Sequence, residues 1–355
     1  MGPQTQAAVG AHLVGSIPLA DADEVLLTAA EILGDRLERV PDGETGERTE
    51  WVHFQLPVLA ATPGLEMGEL ELGPEVELPP GSPRTLQGFA LADGATPEDV
   101  TFGALGYAAA AKASYARFAE HKRAGRIPAH VRFQVSLPTT LAVMAWVLPH
   151  YRAALEPRYQ EALLREVAEI ADAIPHDELA IQWDLCLEVL MIEGWPAAPP
   201  YFADVWDGIV QRVAAHAAAV PEDVELGLHF CYGDYKGARQ VDPRDAANLV
   251  ELAHRLIAAI DRPVAWLHLP VPRELPAEQW LPPLADLRLP DETRLYLGVV
   301  YGPDRADEAA ALVALAGEHC AVPFGIATEC GMGRRSADAV RPILEIHREL
   351  AAPVR

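Results

Sequence analysis

Eight short apolar runs alternate with longer stretches whose apolar residues recur every three or four positions, and this alternation constrains the fold most strongly. The runs read as strands at 11–18, 39–45, 130–138, 179–188, 225–234, 264–271, 294–301 and 324–330. Helices are expected at 22–33, 102–123, 157–173, 202–218, 243–259, 305–318 and 336–350, with a short, weak one at 277–287. Strands that alternate with helices, without a strand-only block, predict an α/β fold with parallel strands. Eight units predict a (β/α)8 TIM barrel, one domain over residues 1–355. The runner-up is an open doubly wound sheet, which usually carries a glycine-rich phosphate loop after its first strand; none is present here. One stretch exceeds a minimal barrel. Residues 60–98 are rich in Pro, Gly and Glu with little periodicity, and read as an insertion: a lid over the mouth, an interface element or a surface loop.

Composition narrows the partners. Lys and Arg number 28 against 52 Asp and Glu, a net charge of −24. Such a field repels phosphate backbones and anionic lipid, so neither nucleic acid nor a membrane surface is an expected partner. The longest apolar run, near 141–148, falls short of the roughly 18 residues that span a bilayer. Residues 1–10 show no cationic and apolar segments of a signal peptide. Four cysteines in a chain of this size are not a disulfide framework, so a reducing cytoplasm is expected, with thiols free for chemistry or metal.

A barrel places its chemistry at the C-terminal ends of its strands. Reactive side chains collect there: Ser16 after the first strand, Asp42 and Glu44 after the second, and Ser136 at the end of the third. Asp184 ends the fourth, His229 and Cys231 the fifth, His268 the sixth, Tyr301 the seventh, and Cys330 the eighth, followed by Arg334 and Arg335. His229 and Cys231 are two apart, so on a strand they share a face and can bind one ion. Taken alone, the pair reads equally well as a buried thiol beside a hydrogen-bonded imidazole. Cys330, aimed at the same mouth, makes a three-ligand zinc site with one open position the stronger reading, with His268 as a further candidate ligand. Asp184 reads as a catalytic carboxylate or as a helix cap, and Glu44 as a site residue or a solvated turn. Cys186 and Cys320 read as structural, and His150, His176 and His254 as surface or core residues. One of Arg334 and Arg335 is expected to cap the loop rather than face the site.

These pieces, in this order, resemble the catalytic barrel of the cobalamin-independent methionine synthase family. The resemblance runs from Gly15-Ser16-Ile17-Pro18, similar to the family's Gly-Ser-Phe-Pro, to Glu329-Cys330-Gly331, similar to its Asp-Cys-Gly. Between them lie Gly43-Glu44, with a charged run ending at Trp51, and Pro138-Thr139-Thr140, which resembles Pro-Val-Thr. Gln182-Trp183-Asp184 resembles Gln-Ile-Asp, and His229-Phe230-Cys231-Tyr232 matches His-x-Cys-Tyr. The resemblance implies a Zn²⁺ cofactor held by His229, Cys231 and Cys330, which binds an acceptor thiol as thiolate. It places Ser16 and Glu44 at the amino-acid substrate and Asp184 close to the reacting thiol. Ser136 and Tyr301, at neighbouring strand ends, complete the expected substrate-binding set.

Two departures bear on function. The family's fourth ligand is a Glu at the end of the sixth strand, where this chain has His268. Replacing a carboxylate by neutral imidazole makes the site less anionic and favours Lewis-acid or zinc-hydroxide chemistry. The chain also spans one barrel, where full-length synthases carry a second that helps to hold folate, so another donor or alkyl group comes into question. The expected function is a zinc-dependent alkyl (methyl) transferase that joins an alkyl donor to a thiol acceptor. A zinc-dependent lyase or hydrolase is the second reading, and a metal-free decarboxylase-like enzyme or small-molecule binding protein the third.

Overall fold

The computed structural model describes residues 8–76, 81–234, 239–273 and 275–354. Eight parallel strands form one sheet around a nearly closed barrel: β1 Ala11–His12, β2 Arg39–Pro41, β3 Arg132–Pro138, β4 Leu179–Leu185, β5 Glu225–Phe230, β6 Trp266–Pro270, β7 Arg294–Val300 and β8 Phe324–Thr328. Their order is β1-β8-β7-β6-β5-β4-β3-β2, which is the (β/α)8 TIM barrel expected from the sequence. The open doubly wound alternative is excluded. No helix among the described residues is long and apolar enough to cross a membrane.

The core has two parts because strand side chains alternate between two faces. Leu179, Ile181, Trp183 and Leu185 of β4 point outward and join a ring of apolar side chains between sheet and helices. The alternate residues point inward, where Val14, Ala180, Trp266, Tyr296 and Ala327 form a second, small cluster. Helix α1 (Ala22–Leu33) shows how the outer layer forms. Asp21 caps it by accepting from the Glu24 backbone N–H at 2.9 Å, and Val25, Leu26, Ala29, Ile32 and Leu33 make its buried stripe.

Three expectations need correction. Strand β1 pairs only over Ala11–His12, although apolar residues continue beyond it. Side chains bond the carbonyls of Leu13 and Val14 instead: Gln134 Nε2 donates to both at 3.0 Å, and Ser136 Oγ and Gln182 Nε2 donate to Val14 at 3.0 and 2.7 Å. A backbone bond of 2.8 Å, from Ile17 N–H to Gly43 C=O, bridges β1 and β2 beyond them. The helix expected at 157–173 begins at Pro149 and runs through Pro157 to Ala173. The proline that read as a start lies inside, and Pro149 occupies the first turn, where a missing N–H costs nothing.

The insertion at 60–98 is more ordered than its composition suggests. It begins in the end of helix Gln55–Ala61 and holds an antiparallel hairpin, Leu65–Glu71 with Thr85–Leu91; residues 77–80 lie outside the described residues. The first arm is mostly exposed, with Leu65 and Leu70 its buried side chains, and so lacks the apolar alternation of a half-buried strand, while the second arm buries Phe89. It docks through backbone bonds from Phe89 N–H to Trp146 C=O and from Leu148 N–H to Phe89 C=O, at 2.9 and 2.8 Å.

Inside the barrel, Gly227 of β5 leaves room for the Trp266 indole, and a Cβ there would sit 1.9 Å from the ring. Trp266 is fully buried and lies under the Arg39 guanidinium at 4.0 Å. Gly227→Ala is therefore expected to lower folding stability by about 1–3 kcal/mol through overpacking, read as a lower urea midpoint.

Candidate functional site

Strand register assembles the site. Asp184 of β4 pairs with His229 of β5, and His229 pairs with His268 of β6, so three titratable side chains stand in one row inside the barrel. Beyond that row Cys231 follows β5, and Cys330 follows β8 across the mouth. The Cys231 and Cys330 sulfurs lie 3.6 Å apart, and Cys330 Sγ is 3.8 Å from His229 Nε2. The three ligand atoms all fall within 4.8 Å of one another.

These distances fit zinc. A tetrahedral ion with ordinary Zn–S and Zn–N bonds has S···S edges of about 3.8 Å and S···N edges of about 3.5 Å. The hydrogen bonds also fix the histidine tautomer. His268 Nε2 faces the Thr328 carbonyl at 3.1 Å, which only an N–H can satisfy. Neutral His268 then has a bare Nδ1, which accepts from His229 Nδ1–H at 2.6 Å. His229 Nε2 is left with a lone pair towards the two sulfurs, the form that ligates. His268 therefore does not join the cluster as the sequence suggested: both its nitrogens are engaged, and it orients the His229 ring from behind.

Burial and the neighbouring imidazole hold His229 well below its usual pKa, so it is neutral. The Cys231 thiol is raised by contact with the Cys186 thiol and by burial, and Cys330 by Cys231 and burial. A divalent cation inverts this balance, because coordinated thiols lose their protons outright. Cys186, read from the sequence as structural, touches Cys231 and lines the mouth. Its position just after β4, close behind Asp184, was the available signal. Cys320 ends a helix away from the mouth, as expected.

A pair of buried carboxyls stands beside the cluster. Asp184 accepts from Gln182 Nε2 at 2.8 Å, and the Trp51 side chain lies beside it. Glu44 sits at φ 48° after Gly43. Gly43 has a φ of 79°, and a Cβ on it would meet Val25 at 2.6 Å, so the position suits only glycine. Glu44 N–H donates to Asp42 Oδ1 at 2.9 Å, and Arg48 holds the other Asp42 oxygen at 2.6 Å. Burial, and next the charge of Asp184, push the Glu44 carboxyl up to about 8. Burial pushes Asp184 up to about 7, against its bond from Gln182 and the neighbouring Trp51 side chain. Near neutral pH this pair holds a proton.

The remaining candidates separate. Ser16 lines the mouth, and the loop after β8 clasps it through Met332 N–H to its carbonyl (2.7 Å) and Gly333 N–H to its hydroxyl (3.3 Å). Ser136 does not line the main cavity; its hydroxyl is spent on the Val14 carbonyl beneath. Tyr301 also turns away, donating to the Val271 carbonyl at 2.9 Å. Of the paired arginines, Arg334 lines the mouth and meets Asp234 at 3.4 Å, while Arg335 is not in the lining. The cavity, of about 860 Å³, also takes in Trp51, Trp146 and Trp195 and the hairpin side chains Leu70, Leu72 and Leu86. Trp146 and Trp195 were missed because each sits in an apolar or Pro-rich stretch without a polar group to flag it.

No family model and no curated protein matches this chain by sequence. Solved structures do. A B12-independent methionine synthase from Shewanella sp., in complex with selenomethionine, superposes with a TM-score of 0.59 at 14% identity, over 97% of each chain. The chain has the fold of that synthase barrel. A methyltransferase from Methanosarcina mazei gives a TM-score of 0.50 at 13% identity, over 98% of this chain and 94% of the other. Both neighbours carry the fold expected from the strand-end motifs.

The raised Glu44 carboxyl links stability to pH. Its folded pKa lies above its unfolded value, so its contribution is complete below about 4.5 and is lost as pH rises through about 8. Thermal melts of wild type are expected to fall over that interval, and Glu44→Gln to flatten the fall.

Proposed function

We propose that the protein is a zinc-dependent alkyltransferase, most simply a methyltransferase, acting on a small thiol acceptor in the cytoplasm. The observation that carries this reading is the convergence of His229, Cys231 and Cys330 beside the buried Asp184–Glu44 pair in one barrel mouth. The names of the two neighbours support it: one is a methionine synthase and the other a methyltransferase.

In this reading His229, Cys231 and Cys330 would hold Zn²⁺. Bound there, Zn²⁺ would supply the Lewis acidity that lowers a substrate thiol's pKa. His268 keeps the His229 lone pair aimed at the site. The carboxyl pair receives the proton that leaves the acceptor thiol, since Asp184 near 7 and Glu44 near 8 are poised to exchange one at neutral pH. Ser16 and Glu44 bind the acceptor's polar groups, and the loop glycines that press on Ser16 fix its position. The transferase is separated from a zinc hydrolase or lyase by its requirement for a thiol.

Metal analysis by mass spectrometry under reducing conditions is expected to give one zinc per chain, lost in Cys231→Ala and Cys330→Ala. His268→Gln should keep zinc but bind it about 10–100-fold more weakly in chelator competition, as for loss of an orienting partner. A wild-type protein that takes up no zinc under these conditions would overturn the assignment. With zinc bound, Asp184→Asn is expected to lower kcat for thiol alkylation by about 10²–10⁴-fold.

A further inference from the structure

We infer that the alkyl donor is a methyl onium cation, a sulfonium or quaternary ammonium compound, seated in the tryptophan-walled part of the mouth. The inference rests on the transferase reading and names its second substrate.

Three successive strand-to-helix connections each contribute a tryptophan to the cavity: Trp51 after β2, Trp146 after β3 and Trp195 after β4. All three are half-buried, and the Trp51 side chain lies beside the Asp184 carboxyl. Trp146 is braced edge-on by His53 at 5.1 Å between ring centres. Indole faces attract cations through the ring quadrupole, more strongly than the other aromatic rings do.

The charges in the lining point the same way. Among the described residues seven lining side chains carry a carboxyl and two a guanidinium. Glu44, Asp184, Glu193 and Asp234 lie inside, while Glu50, Glu75 and Asp242 stand towards the rim. Both guanidiniums are met by carboxylates, Arg239 by Asp242 at 2.7 Å and Arg334 by Asp234 at 3.4 Å. Even with a proton held by the Asp184–Glu44 pair, carboxylates outnumber guanidiniums in the lining, within a chain of charge −24, so the cavity draws cations and repels a polyanionic donor. A neutral apolar donor would suit the indoles but would cover the carboxyls without compensating them.

The chemistry balances without a further reagent. The acceptor sulfur's electron pair forms the new S–CH3 bond as the methyl–onium bond breaks. The bonding pair departs with the leaving group, which becomes a neutral sulfide or tertiary amine. The acceptor's proton passes to the Asp184–Glu44 pair, and the leaving group needs none.

The test is titration of the full-length, zinc-loaded protein, followed by tryptophan fluorescence. The probes are trimethylsulfonium, tetramethylammonium, neutral tert-butanol and a pteroyl polyglutamate. The two cations are expected to bind at least tenfold more tightly than tert-butanol. Trp146→Leu and Trp195→Leu should each weaken cation binding about 2–30-fold and leave tert-butanol unchanged. Glu193→Gln, which keeps the shape, should weaken the cations alone. Equal affinity for cation and neutral probe, or tighter binding of the polyanion, overturns the inference. Methyl transfer to a thiol from trimethylsulfonium or from tetramethylammonium then tells which onium is used. Thiol alkylation from a polyanionic donor only would defeat this inference and leave the transferase standing; cation binding without any thiol alkylation would defeat the transferase.

Discussion

Two glutamine side chains close this barrel. Strand β1 is paired for only two residues, and beyond it the carbonyls of Leu13 and Val14 face inward without a ladder partner. The Gln134 and Gln182 amides supply the missing donors from β3 and β4. A buried carbonyl left unpaired costs about 1–3 kcal/mol, so these amides are part of the fold's stability. Gln182 does more. Its oxygen accepts from Trp266 Nε1 and lies 2.8 Å from His12 Nε2, and its nitrogen also donates to Asp184. One amide thereby joins barrel closure, the interior packing and the position of a candidate catalytic carboxyl.

The mouth above is a balance between burial and charge. Burial, and for the thiols first their contact with one another, drives its titratable groups towards their neutral forms: imidazoles unprotonated, thiols and carboxyls protonated. Neutral groups can be held close together at little electrostatic cost, which lets the ligand set and the carboxyl pair share one cavity before any cation arrives. A cation changes the sign of the argument, since it rewards every proton lost. The relay from Thr328 through His268 to His229 settles one proton in advance and leaves a lone pair towards the sulfurs.

Much of this was legible in the sequence. Period and length gave the eight units, because outward-facing strand residues and helix stripes are both apolar and regular. The convergence of His229, Cys231 and Cys330 was legible because strand ends in a barrel aim at one mouth. The role of His268 was not: whether an inward imidazole ligates or supports depends on which group lies behind it, here a carbonyl 60 residues away. Ser136 and Tyr301 were misplaced for the same reason, since each hydroxyl found a backbone acceptor outside the mouth. The hairpin at 65–91 escaped because its mostly exposed first arm shows no apolar alternation, and the tryptophan wall because an apolar pocket and an apolar core read alike.

The clasp between the first and last loops has a consequence in time. Met332 and Gly333 hold Ser16, β8 pairs with β1, and Val9 pairs with Ala352 near the other end of the chain. Cys330 follows Cys231 by 99 positions. A ribosome making this protein has finished all eight strands before Cys330 emerges, and β8, just ahead of it, pairs with β1, the first strand of the sheet. The three candidate ligand residues therefore come together only after β8 has been made, and until then β1 lacks its sheet neighbour.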